Sequence, residues 1–149
     1  TYEAGLKTQL FERRVTANLA VYVTDIRDFQ ANVVDSGPGA LRGYLANIEK
    51  VEVRGAELDV SIRPIGGLGG YFTLAWTDGE YASFRNGPCP LELIGTATAA
   101  CDLSGRELPG VSRWAASLGA EYVRDASFGP LDGGAYLAAD ASYRSAYFS

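Results

Sequence analysis

The sequence predicts an all-β fold: about six antiparallel strands joined up and down in one sheet. Three observations point to it. Six segments alternate in character with period two, no segment holds a helical period, and the connections alternate between short and long.

In "YEAGLKTQL", Tyr2, Ala4, Leu6, Thr8 and Leu10 share a face opposite Glu3, Gly5, Lys7 and Gln9. In "VTANLAVYVT", Val15, Ala17, Leu19, Val21 and Val23 oppose Thr16, Asn18, Ala20, Tyr22 and Thr24. The stretch "VEVRGAELDVSI" sets Ala56, Leu58, Val60 and Ile62 against Gly55, Glu57, Asp59 and Ser61. Just before it, residues 48–54 are the weakest stretch, because both faces carry charge. In "YFTLAWTDGEY", Phe72, Leu74 and Trp76 oppose Thr73, Ala75 and Thr77. "SRWAASLGAEY" puts Ser112, Trp114, Ala116, Leu118, Ala120 and Tyr122 opposite Arg113, Ala115, Ser117, Gly119 and Glu121. "AYLAADASYR" puts Ala135, Leu137, Ala139, Ala141 and Tyr143 opposite Tyr136, Ala138, Asp140, Ser142 and Arg144.

Turns 11–14, 63–69 and 125–133 are expected at one end of the sheet, and loops 35–46 and 85–110 at the other. Connections longer than about 12–15 residues are usually functional, which singles out 85–110. That loop holds Cys89 and Cys101, the chain's two cysteines. A single bridge inside the loop is the simplest pairing, and two free thiols are the alternative.

Period two does not say which face is buried. A soluble sandwich or barrel buries its apolar face, whereas a transmembrane barrel turns that face to lipid and its polar face to a lumen. Three features favour the membrane. The patterned segments run about 9–11 residues, as a tilted membrane strand requires. Tyr2, Phe72, Trp114, Tyr122 and Tyr143 stand near segment ends on the apolar register, like an interfacial girdle. Ala116, Ala120, Ala135, Ala139 and Ala141 would fill a soluble core poorly. A soluble β-barrel or sandwich that binds a ligand stays open as the alternative.

Composition narrows the functions. The net charge is −5 and no basic stripe is present, which argues against a nucleic-acid partner. There is no histidine, so the commonest general base and metal ligand is missing. No phosphate loop, Gly-x-Ser-x-Gly elbow or Cys-x-x-Cys occurs, and "GGLGG" at 66–70 reads as a turn. Glu57 and Asp59 stand two apart, yet nothing resembling an acid–base site accompanies them. The reading is not an enzyme, with no cofactor and no metal; an outer-membrane barrel lipase or protease is a third class that these absences disfavour. No apolar run reaches the ~18 residues of a membrane helix, and no signal peptide is visible.

The string "YEAGLKTQLFERRVTANLAVYVTDIRDFQ" resembles late barrel strands of TonB-dependent outer-membrane receptors, through Tyr2–Lys7 and the rim pattern Asp25, Asp28, Phe29, Gln30. "NIEKVEVRGAELDVSIRPIGGL" resembles the next returning strand, with Gly55, Glu57 and Asp59 at its Gly-x-Glu-x-acid core. "YFTLAWTDGEY" and "LPGVSRWAASLGAEY" resemble the strand and re-entry that follow, with Ser112 near where the family has a second proline. The resemblance covers essentially the whole chain.

The resemblance implies a piece of a 22-stranded barrel, residues 1–149 supplying a partial barrel domain without plug or TonB box. It implies a Gram-negative outer-membrane location and TonB-driven uptake of a scarce ligand such as a ferric siderophore, a vitamin or a sugar. Partners would be outer-membrane lipid, the TonB complex through the absent plug, and the imported small molecule. The first end of the sheet would be periplasmic and the second outward. Arg42, Tyr44, Tyr81, Phe84 and Arg85 are candidate ligand contacts near the outer rim, with ordinary loop packing as the competing role. Glu57, Asp59, Arg113, Glu121, Asp140 and Arg144 are candidate lumen residues. Arg113 and Arg144 are expected to meet a plug or anionic ligand, or to pair with Glu57, Asp59, Glu121 or Asp140. Gly55 is expected to leave room for whatever fills the lumen.

Overall fold

Alternation becomes one six-stranded antiparallel sheet in the computed structural model, which describes residues 1–35, 42–89, 100–129 and 131–147. The strands are β1 (Tyr2–Leu10), β2 (Val15–Asp35), β3 (Arg42–Ile65), β4 (Leu68–Ser83), β5 (Trp114–Phe128) and β6 (Leu131–Arg144). Each pairs with the next in the chain, so β1 and β6 have one neighbour apiece among the described residues.

The register confirms the shared faces. One face carries the rows Leu6–Leu19–Leu58–Leu74–Ala116–Tyr143 and Thr8–Ala17–Val60–Phe72–Leu118–Ala141. The other carries Gly5–Ala20–Glu57–Ala75–Ala115–Arg144 and Lys7–Asn18–Asp59–Thr73–Ser117–Ser142. Large apolar side chains remain open, Leu6 at 62% and Leu118 at 55%. A soluble fold would bury these rows.

The strands exceed the expected 9–11 residues: β2 has 21, β3 has 24 and β4 has 16. Each supplies backbone partners to its neighbour well beyond the apolar stripe, so pairing persists where period-two hydrophobicity stops. The weak stretch 48–54 lies inside β3. Opposite it, Asp28 is left-handed at φ 53, and the pairing is interrupted between Arg27↔Lys50 and Phe29↔Ile48. A second irregularity shifts β3 against β4 between Lys50 and Val51. Beyond these breaks Ile48 joins Val51 in one cluster despite opposite parity.

Turns are tighter than expected. Gly66 and Gly67 alone join β3 to β4, both at positive φ, and β5 passes to β6 through 129–130. The 11–14 turn holds Phe11, Glu12 and Arg13 left-handed and closes with Arg14 N–H donating to the Phe11 carbonyl at 3.0 Å.

Candidate functional site: polar face and outer rim

On the polar face, two tyrosines lie over glycines of the neighbouring strand. Tyr22 sits opposite Gly55, and its ring occupies the space a Gly55 Cβ would need. Gly55 therefore leaves no free room; its missing side chain is replaced by Tyr22, which corrects the sequence expectation. Tyr71 likewise covers Gly119, and its hydroxyl donates to Asp140 Oδ1 at 2.9 Å, spanning β4 to β6. A flat ring over a glycine restores the side-chain packing the strand lacks and pins its register.

Glu57, Asp59, Glu121, Asp140 and Arg144 share this polar face. Glu57 and Arg144 occupy one row but three strands apart, about 14 Å, too far to pair. The neighbours of Glu57 and Asp59 are small and uncharged. With Thr73, Ala75, Ala115 and Ser117 the two acids border a shallow depression of 150 Å³. Neither acid has an ion pair among the described residues. Arg113 does not pair with either of them: it lies just before β5 and binds Asp78 at 3.1 Å and Glu107. The chain bends between Val111 and Trp114, which carries its guanidinium to the β4 rim.

The 85–110 segment is less loop-like than its length suggests. Tyr81 N–H donates to the Arg106 carbonyl (2.9 Å), Leu108 N–H to Gly79 (2.9 Å) and Leu103 N–H to Phe84 (2.8 Å). Residues 101–108 thus run back along the upper edge of β4. Gly87 and Cys101 exchange two backbone hydrogen bonds at 2.9 Å, and Cys89 is disulfide-bonded to Cys101. Glycines admit the return: Leu108 packs where a Gly79 Cβ would stand, and Leu103 fills that place at Gly87. Residues 36–41 and 90–99, the centres of the two long connections, lie outside the described residues.

Phe84 is 1% exposed, enclosed with Ala46, Ile48 and Val51 and flanked by Ala31, Val53, Tyr81, Leu103 and Leu108. It offers no surface to a ligand and anchors the returning segment instead. Tyr81 packs on it with ring centroids 5.2 Å apart, and burial pushes the Tyr81 hydroxyl above its ordinary range. Arg85 is exposed, its backbone N–H donating to Glu49 Oε2 at 3.3 Å. Arg42 and Tyr44 pair through their backbones with Asp35 and Val33, while their side chains lie outside what is described. Asp102 caps its own turn by accepting from Ser104 N–H at 2.9 Å, and hydrogen bonding to the Ser104 side chain and then to this N–H holds its carboxyl below the usual range. Sequence reasoning missed Leu103, Leu108 and the two tyrosine–glycine pairs. Gly55, Gly79, Gly87 and Gly119 were the available hints of close approach.

Among the described residues no group of acids or cysteines is arranged to hold a metal. No solved structure matches the chain. The family model of the TonB-dependent receptor-like β-barrel matches residues 1–149. Receptors of this family reside in the Gram-negative outer membrane, where they are TonB-dependent transporters and not enzymes. A match over the whole sequence, on an antiparallel sheet with one apolar and one polar face and no helix among the described residues, makes this chain a member of the TonB-dependent receptor β-barrel family.

Proposed function

We propose that this chain forms six strands of the wall of a 22-stranded, plugged barrel that imports a scarce small molecule such as a ferric siderophore, a vitamin or a sugar. The carrying observation is the pair of faces. Leucine rows cross the sheet on one side, and rows of Glu57, Asp59, Asn18, Thr73 and Ser117 cross it on the other. The first suits lipid and the second a watered lumen. Six strands fall short of the about eight that close the smallest barrels, and β1 and β6 keep one unpaired edge each among the described residues. Further strands at both edges satisfy them.

On this reading Glu57, Asp59, Glu121, Asp140 and Arg144 face the lumen. The unpaired Glu57 and Asp59 suit a basic group of the plug. At the rim, Arg85 and the open side of Tyr81 are the contacts left for a passing ligand, together with Arg42 and Tyr44. The soluble alternative loses its support, since Ala46, Ile48, Val51 and Phe84 are the buried apolar residues among those described and all lie beyond the leucine rows.

Uptake tests this reading. Cells carrying the receptor should accumulate one class from a panel of labelled ferric siderophores, corrinoids and oligosaccharides, and lose that uptake without TonB. Uptake of none of them, or uptake unchanged without TonB, sinks the proposal.

A further inference from the structure

The rim unit holds a reactive step of the backbone. Asn86–Gly87 is the chain's one Asn-Gly pair. Glycine carries no Cβ to shield its amide nitrogen, so that nitrogen can reach the side-chain carbonyl carbon of the preceding asparagine. The reaction needs an asparagine side chain free to swing and a glycine N–H free to lose its proton.

The fold grants the first and withholds the second. Asn86 is exposed in the turn after Phe84, and its side chain makes no hydrogen bond with any described residue. Gly87 is buried. Its N–H donates to the Cys101 carbonyl at 2.9 Å, and the Cys101 N–H returns a bond of the same length to the Gly87 carbonyl. Leu103 and Phe84 fill the space beside its Cα. Gly87 lies beyond Ser83, where β4 ends, so this isolated bridge is the pairing that occupies its nitrogen. Cys89, two residues on, is bonded to Cys101 itself. The disulfide therefore clamps that pairing, and a lone pair of hydrogen bonds at a sheet's rim opens readily once the clamp is gone.

We infer that Asn86–Gly87 is a latent deamidation site, guarded by the Cys89–Cys101 bridge and uncovered when that bridge is reduced. A dithiol converts the bridge to two thiols and is itself oxidised to a disulfide. The Gly87–Cys101 pairing then opens, and base removes the Gly87 amide proton. The nitrogen bonds to the Asn86 side-chain carbonyl carbon, the bond from that carbon to the side-chain nitrogen breaks, and ammonia leaves. Water opens the resulting cyclic imide at either carbonyl, leaving aspartate or isoaspartate in place of Asn86. Either product sets a negative charge beside Arg85, and isoaspartate also lengthens the main chain by a methylene inside the turn that leads from Phe84 to Gly87. The new residue remains when the bridge re-forms, so the rim unit retains a covalent record of having been reduced.

The test ages full-length receptor in detergent at mildly alkaline pH in two forms, one with the bridge intact and one reduced by a dithiol and alkylated. Mass spectrometry of peptides spanning Asn86 counts conversion, and electron-transfer fragmentation separates isoaspartate from aspartate. Heat-modifiable migration reports barrel folding separately. Asn86 should convert about tenfold faster in the reduced receptor than in the intact one. Asn18, Asn32 and Asn47, which lie within β2 and β3, should stay unchanged in both. Asn86→Gln should abolish the conversion after reduction. Cys89→Ser/Cys101→Ser should match the reduced form without any alkyl group; where that variant does not fold, the reduced wild type decides. Equal rates in intact and reduced receptor, whether fast or slow, overturn the guarded site. A folded double variant that stays slow assigns the effect to the alkyl groups and overturns it as well. Loss of heat-modifiable migration on reduction also overturns it, because the opening is then global and not local to the rim.

Discussion

At the scale of single residues, the polar face shows why glycine and tyrosine occur together. Gly119 lets the Tyr71 ring cross β5 and reach Asp140. An alanine there pushes the ring off and breaks the hydrogen bond. Gly119→Ala in the full receptor should cost about 1–3 kcal/mol, read as a lower urea midpoint in detergent, while Tyr71→Phe should cost less, about 1 kcal/mol. A Gly119→Ala midpoint equal to wild type would show that the ring is not held there.

Neighbouring residues 57 and 58 test the faces. Leu58→Arg places a charge in lipid at about 2–4 kcal/mol near the midplane and should impair assembly, whereas Glu57→Gln should assemble normally. The reverse order, measured as heat-modifiable receptor in outer-membrane fractions, would invert the faces. Asp102 provides a pH test at the rim. Its carboxyl is held below the ordinary 3.8 by Ser104, with the charge of Arg85 adding to the effect. A depressed folded value means that its contribution is complete above 3.8 and is lost as pH falls through the lower value. Amide exchange at 102–105, corrected for intrinsic rates, should therefore be flat from neutral pH down to that region and rise only below it. A rise near neutral pH would contradict the cap.

At the scale of elements, β4 and the segment returning beside it form a rim unit with its own packing. Backbone pairing from Thr77 to Gly87, the Phe84 cluster and the Cys89–Cys101 bridge each fix it. The bridge closes a loop of 12 residues, worth about 3 kcal/mol in the chain-entropy model. Cys89→Ser/Cys101→Ser should leave barrel folding intact and raise hydrogen exchange at Gly87 and Cys101 while Leu103 and Leu108 stay protected. Phe84→Ala removes the anchor itself, at about 3–5 kcal/mol, and should free residues 101–108 as well. Equal exchange profiles for the two variants would refute this division between staple and anchor.

At the scale of the whole molecule, the sheet has a tight-turn end and a long-loop end. A cysteine at Glu12 in the 11–14 turn should escape an impermeant thiol reagent on intact cells, and one at Arg85 should react, both in a receptor without Cys89 and Cys101. Equal labelling would undo the sidedness. Gly67 is unsuitable for this probe, because its φ is +88 and a side chain there meets the Val123 carbonyl.

The alternation of side chains by itself determined the all-β class, the six strands and the membership of each face. Strand geometry admits one period, so Leu58 and Glu57 must point to opposite sides whatever surrounds them. The cysteine pairing was legible for a similar local reason, since two thiols in one connection had few other partners. Tertiary structure decided whatever depends on which residues are set opposite one another. Register brought Tyr22 over Gly55 and Tyr71 over Gly119, and it placed Glu57 and Arg144 in one row yet too far apart to meet. A bend before Trp114 gave Arg113 to Asp78 and Glu107, and a chain returning along β4 buried Phe84 that the sequence had offered to a ligand. Periodicity is a property of one strand, whereas pairing, close approach and burial are set by residues tens of positions away.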